Sequence, residues 1–158
     1  MREEPTGGKS LESLVIDTNI LFSFFKSDST TRKIIYKLRG FLDLYTPEYA
    51  YDELQKYKEV IIKKARITPE KFEEILGLLS HLIIPIPEEE YIDTIHEALK
   101  ITPDLGDIDF IALAIKLNCP VWSNDKKLKQ IKNVKVMNTS EIISLLSALE
   151  KSDQSPRT

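Results

Sequence analysis

Apolar residues in this chain fall into short unbroken runs separated by longer stretches of helical period. Ser13-Leu14-Val15-Ile16 is such a run, ended by Asp17-Thr18-Asn19, and it predicts a buried strand turning into a capped helix. Helical patterning follows over 20–25 and 31–39, where Gly40 stops it. Residues 41–45 read as a strand, and Thr46-Pro47-Glu48 opens a helix with proline in its first turn, running to about residue 65. Thr68-Pro69-Glu70-Lys71 starts another helix that ends near residue 79. Leu82-Ile83-Ile84-Pro85-Ile86 is a strand whose proline favours an edge position. A helix over 88–100 with an acidic first turn and an apolar helix over 107–117 come next. Val121-Trp122-Ser123 is a short strand, 125–131 a short basic helix, 134–137 a strand, and 140–149 a capped final helix.

Strands alternating with helices predict an α/β fold, a three-layer α/β/α sandwich on a mainly parallel sheet. The 158 residues make one domain, assigned to 11–150. The polar ends, 1–10 and 151–158, read as flexible tails. A hydrophobic fraction of 42% and a charged fraction of 30% are those of a globular protein rather than a disordered one. No apolar run reaches the ~20 residues that span a bilayer, and the N-terminus lacks a signal-peptide core, so an intracellular, cytoplasmic protein without a membrane role is expected. Cys119 is alone, which excludes an internal disulfide and a thiolate metal site; its apolar neighbours suit a small buried hydrophobe. The net charge of −3 argues against binding nucleic acid over a whole face, though not against a local basic rim.

Sites in such sheets lie at the carboxyl ends of the strands. Asp17 ends the first strand, and Asp125 follows the strand at 121–123. Glu53 lies in the helix after the second strand, and Asp107 starts the helix that precedes 121–123. Taken singly, Asp17 and Asp107 are helix caps, Glu53 a surface residue and Asp125 a turn acid. Together they put four carboxylates on one sheet edge. Such a cluster repels itself and raises its own pKa values unless a cation neutralises it. Oxygen ligands without histidine or cysteine select Mg²⁺ or Mn²⁺ over Zn²⁺. A metal held this way can activate water and stabilise charge on a phosphate under attack, with no protein nucleophile.

In order and spacing, these segments resemble the PIN domain family of metal-dependent ribonucleases, over residues 14–137. Val15-Ile16-Asp17-Thr18-Asn19 is similar to the family's opening strand and first acid, and Tyr51-Asp52-Glu53-Leu54 to the second. Asp104-Leu105-Gly106-Asp107-Ile108-Asp109-Phe110-Ile111 resembles the helix start carrying the third, and Val121-Trp122-Ser123-Asn124-Asp125 the closing strand and fourth. The last two acids stand 18 residues apart (107 to 125), which suits the helix, turn and strand between them. The resemblance implies that Asp17, Glu53, Asp107 and Asp125 bind Mg²⁺ or Mn²⁺ and cleave RNA, with Asn19 and Ser123 as supporting polar residues. Asp104 and Asp109 crowd the third position. Asp107 and Asp109 point about 200° apart on a helix, so only one serves directly, and Asp104 is left as an accessory ligand. Stand-alone PIN proteins of this size also resemble VapC-type toxins, which implies an antitoxin partner and a homodimer. Phe22-Phe24-Phe25 and Ile75-Leu76-Leu78-Leu79 are the apolar candidates for its interface.

An RNA substrate needs cations. Lys126, Lys127 and Lys129 follow Asp125, and Lys63, Lys64 and Arg66 end the helix that carries Glu53. Tyr49, Tyr51 and Tyr57 flank Glu53, with Tyr49 or Tyr51 able to stack on a base. His81 and His96 have no partner at ligand spacing, and no glycine-rich phosphate loop is present. Three other readings compete. A phosphatase attacking through Asp17 would want a second Asp where Asn19 stands. A phospho-accepting receiver module would need an acidic pair ending an earlier strand. A catalytically inactive PIN-like RNA-binding or scaffolding protein would mark itself by losing acids, and all four are present.

Overall fold

The computed structural model describes residues 11–27 and 29–152; the terminal segments 1–10 and 153–158 lie outside the described residues. Five parallel strands form one sheet: β1 (Ser13–Ile16), β2 (Asp43–Pro47), β3 (Ile84–Ile86), β4 (Val121–Trp122) and β5 (Val136–Met137), in the order β3-β2-β1-β4-β5. Leu14, Val15 and Ile16 are all fully buried. Successive strand residues face opposite sides of a sheet, so both faces of β1 are covered, as a parallel sheet between helices requires. Helices α1 (Thr18–Ser23) and α2 (Thr30–Leu38) join β1 to β2. After β2 come α3 (Glu48–Lys56), α4 (Lys58–Ala65) and α5 (Pro69–Leu82). Helices α6 (Ile95–Ile101) and α7 (Ile108–Leu117) lead into β4, and α8 (Thr139–Ser152) closes the chain. Helix α8 runs on through Lys151 and Ser152, two residues into the stretch assigned to a tail.

Local chemistry sets several boundaries. The Thr68 hydroxyl accepts the Lys71 N–H at 3.0 Å, capping α5 with Pro69 at its first position. Pro85 sits on β3, the edge strand, opposite Thr46, where its missing N–H disturbs no central ladder. The helix expected from 47 to 65 is broken at Tyr57 (φ −101°, ψ 21°), which is where α3 ends and α4 begins. The helix expected over 88–100 is α-helical only from Ile95; before it lie two 3-10 turns hinged at Tyr91 (φ −129°). Tyr91 is buried, and its hydroxyl is held by the Asp109 carboxylate, so tertiary packing decides the local backbone there. The basic helix expected over 125–131 is a single 3-10 turn, Leu128–Gln130.

Among the described residues, Arg66 (φ 58°) and Asn118 (φ 53°) adopt left-handed backbone without being glycine, ending α4 and α7. Asparagine tolerates this conformation; arginine carries its Cβ into strain there. Arg66→Gly is therefore expected to stabilise the fold by about 1 kcal/mol in chemical denaturation, and a loss of stability would refute that account.

The core takes most of both apolar segments considered as interfaces, with Phe22 and Leu76 partly buried and Leu78 exposed. Phe24, Phe25 and Leu79 are buried, Ile75 nearly so, and Phe25 stacks on Phe72 at 5.0 Å. Cys119 is only half-buried, packed against the core rather than enclosed by it. His81 and His96 are exposed. Among the described residues no helix is long and apolar enough to cross a membrane.

Candidate active site

From β1 the chain adds strands first on one side, β2 and β3, and then on the other, β4 and β5. The strand order thus reverses between β1 and β4, the point beyond whose carboxyl ends such sheets form their binding crevice. Asp17 leaves β1 at that point and Ser123 leaves β4. The Asp17 N–H bonds the Trp122 carbonyl at 3.1 Å, which brings the two strand exits side by side. Just below, the buried Thr46 hydroxyl donates to the Ile16 carbonyl at 2.8 Å and ties the end of β2 to the end of β1. Trp122 Nε1 donates to Thr139 Oγ1 at 3.0 Å, and the Thr139 N–H donates to Asn124 Oδ1 at 2.8 Å. The loop after β4 is thus fastened to the start of α8.

Asp17 stands at the N-cap of α1, with the extended backbone of a cap (φ −74°, ψ 150°), yet its side chain makes no cap hydrogen bond. Its carboxylate, 6% exposed, instead accepts from the Ser123 hydroxyl at 2.7 Å. The Ser123 oxygen in turn accepts the Asp125 N–H at 3.1 Å, so one buried hydroxyl orients two of the acids. Burial pushes the Asp17 pKa above the ordinary carboxylate value. The hydrogen bonds from Ser123 and Thr18 oppose that, and the charges of Asp125 and Glu53 add to it.

Glu53 reaches the same crevice from the second turn of α3. Thr18, buried in the first turn of α1, donates its hydroxyl to Glu53 Oε1 at 2.8 Å across 35 residues of sequence. Asp107 is the N-cap of α7 and, like Asp17, makes no side-chain cap bond. Its pKa is raised to about 6, first by burial and then by the charges of Asp17, Asp125, Asp104 and Glu53. The structure therefore brings Asp17, Glu53, Asp107 and Asp125 within electrostatic reach of one another. Helix capping, which would explain Asp17 and Asp107 singly, is not what their carboxylates do. Asp125 does act in a turn, since its Oδ1 accepts the Lys127 N–H at 2.9 Å.

The neighbours separate by role. Exposed Asp104 accepts the Gly106 N–H at 3.1 Å and shapes the approach to α7. Asp109 turns to the Tyr91 hydroxyl. Asn19 is exposed, and among the described residues no hydrogen bond links its side chain to the four acids; the Ser23 hydroxyl uses its carbonyl. The three tyrosines also diverge. Tyr51 donates its hydroxyl to the Ile83 and Leu79 carbonyls and is spent holding α3 to the end of α5. Tyr57 packs edge-on against Phe22. Tyr49, 41% exposed, has its hydroxyl against Glu53, whose charge is the main reason its pKa is raised. Of the cations, Lys63, Lys64, Lys126 and Lys127 are exposed, whereas Lys129 is fastened to the Glu141 carboxylate and the Val136 carbonyl. Thr18 was not among the residues expected at the site. Its neighbour Asp17 drew attention, but nothing in sequence links position 18 to position 53.

Four carboxylates with no thiolate or imidazole among them form an all-oxygen donor set, which suits a hard divalent cation. Among the described residues no three metal-binding side chains already stand close enough to form a cage, so the carboxylates would have to draw inward onto an ion.

The PIN domain sequence pattern matches residues 15–147, which spans every residue of this crevice. Among solved structures, the chain resembles one described as VapBC2 from Rickettsia felis bound to a DNA fragment from their promoter. The TM-score is 0.60 at 17% identity, covering 80% of this chain and 98% of the other. That likeness is one of fold. No curated protein sequence matches the chain significantly.

Proposed function

The chain belongs to the PIN domain family, and on that premise we propose that it is a ribonuclease dependent on Mg²⁺ or Mn²⁺. Asp17, Glu53, Asp107 and Asp125 would hold the metal. The observation that carries the reading is the state of Asp17 and Asp107. Both are partly or wholly buried at helix starts, both have raised pKa values, and neither carboxylate caps its helix. Burying charge without a compensating partner is costly, and a divalent cation would be such a partner for these carboxylates.

A bound hard cation would supply charge stabilisation at the phosphate under attack. The chain's own groups supply the rest. Ser123 fixes the Asp17 carboxylate, Thr18 fixes Glu53, and the rigid ends of β1 and β4 hold both in place. Tyr49 offers an exposed ring beside Glu53 on which a base can stack. The shared architecture with the VapBC2 structure supports a toxin-like role with an antitoxin partner, and a homodimer remains part of the proposal.

The test is cleavage of a labelled single-stranded RNA with Mg²⁺ or Mn²⁺ against the same reaction in EDTA. Metal-dependent cutting is expected. An intact substrate under every metal tried would leave an RNA-binding or scaffolding role in its place. A narrower expectation concerns Thr18. Thr18→Val should weaken Mn²⁺ binding by roughly tenfold, as removing a ligand-orienting hydrogen bond typically does, while Thr18→Ser keeps the hydroxyl and the affinity. Equal titrations for Val and Ser would remove Thr18 from the site.

A further inference from the structure

Beside the acidic crevice lies a second, basic one. Residues 100–103, at the end of α6, and Lys127, Gln130 and Ile131, after Asp125, form the walls of an open cleft of about 250 Å³. Lys100 stands on one wall and Lys127 on the other, both exposed, with Gln130 beside Lys127. Among the described residues neither ammonium is paired with a carboxylate. Thr102 also lines the cleft, and among the described residues its buried hydroxyl has no hydrogen-bond partner. A buried hydroxyl left unpaired is costly, and an oxygen-rich ligand in the cleft would relieve it after a small side-chain rotation. The cleft is joined to the acidic cluster at both walls: Asp104 is two residues past Thr102, and Asp125 two residues before Lys127.

We propose that this cleft binds a backbone phosphate of the RNA strand, other than the one being cut, between Lys100 and Lys127, with Thr102 and Gln130 as neutral hydrogen-bonding groups. The proposal rests on the ribonuclease reading above and adds a binding site to it. Its logic is electrostatic. An acidic crevice repels a polyanion until metal is bound, and a basic cleft on its border gives the strand a point of attachment that does not need the metal.

The test is equilibrium binding of a fluorescein-labelled single-stranded RNA in EDTA, over a range of salt. Each phosphate of a single strand that is neutralised adds about 0.7 to the salt slope, so the double variant Lys100→Gln/Lys127→Gln, which gives up the one phosphate held between the two lysines, should lower it by about 0.7. The same charge change on α2, Lys33→Gln/Lys37→Gln, should leave the slope alone. Thr102→Val should weaken binding at every salt concentration without changing the slope. Because it deletes an unpartnered hydroxyl, it should melt no lower than wild type. An unchanged slope for the Lys100/Lys127 pair, an equal drop for the α2 pair, or wild-type affinity in Thr102→Val would each overturn the proposal. A wild type that cuts RNA while the Lys100/Lys127 pair keeps its slope discards the cleft alone. A wild type that neither binds nor cuts RNA discards the cleft and the ribonuclease reading together.

Discussion

Asp17→Asn is expected to abolish metal-dependent RNA cleavage, by about 100-fold or more, while leaving the protein folded. Removing one preorganised electrostatic group from a site commonly costs that much, and here the substitution removes the most deeply buried carboxylate of the four. Folding should survive because the Asn carbonyl oxygen can still accept from Ser123 Oγ, the hydrogen bond that joins Asp17 to the end of β4. The stability effect has a definite sign. The pKa of Asp17 is raised above 3.8, so the folded state holds its proton to higher pH than the unfolded chain does. Stability from this group is complete below about 3.8 and is lost as pH rises through the folded value. The Asn variant is free of that penalty. In EDTA near neutral pH it should melt at or above the wild-type temperature, and the difference should vanish in acid. A variant that cuts RNA at the wild-type rate would end the metal-centred account. One that melts well below wild type would show Asp17 to be structural.

How far the sequence reveals this site depends on the distance over which each interaction acts. Asp17 is legible because it directly follows the unbroken run Leu14-Val15-Ile16, and an apolar run that ends in an acid in an α/β chain marks a strand's carboxyl end. Ser123 and Asp125 are legible for the same reason beside Val121-Trp122. Thr18 is not, because its partner Glu53 is 35 residues away and only the fold makes them neighbours. The local backbone shows the same division. The caps at Thr68 and the edge proline at Pro85 are local chemistry and fall where the pattern puts them. The break at Tyr57 and the hinge at Tyr91 do not, since the helical pattern runs through both. At Tyr91 the burial of a large ring and its bond to Asp109 override propensity. Lys129 shows the limit of reading charge runs: three lysines follow Asp125 in close succession, but one of them clamps α8 through Glu141.

The choice among Asp104, Asp107 and Asp109 is the point at which sequence alone is weakest, and the geometry makes it testable. Asp107 feels the charges of Asp17, Asp125 and Glu53, whereas Asp109 is engaged by Tyr91. With Asp107 raised from 3.8 to about 6, the folded protein in EDTA should lose stability as pH climbs through that window. Above it, Mn²⁺ should restore stability, because a ligand that binds only the folded state stabilises by RT ln(1 + [L]/Kd), about 2.7 kcal/mol at 100 times Kd. Below about pH 6 protons compete for the same carboxylate and the gain should fade. Asp107→Asn should flatten the pH dependence across the window and weaken Mn²⁺ by roughly tenfold or more. Asp109→Asn should do neither, since its amide oxygen can still accept from Tyr91. Thermal melts of the two variants over pH, with and without Mn²⁺, separate these outcomes. If Asp109→Asn loses the Mn²⁺ gain while Asp107→Asn keeps it, the third acid is Asp109, and the Tyr91 hydroxyl becomes a hydrogen bond that orients a ligand instead of one that fixes a hinge.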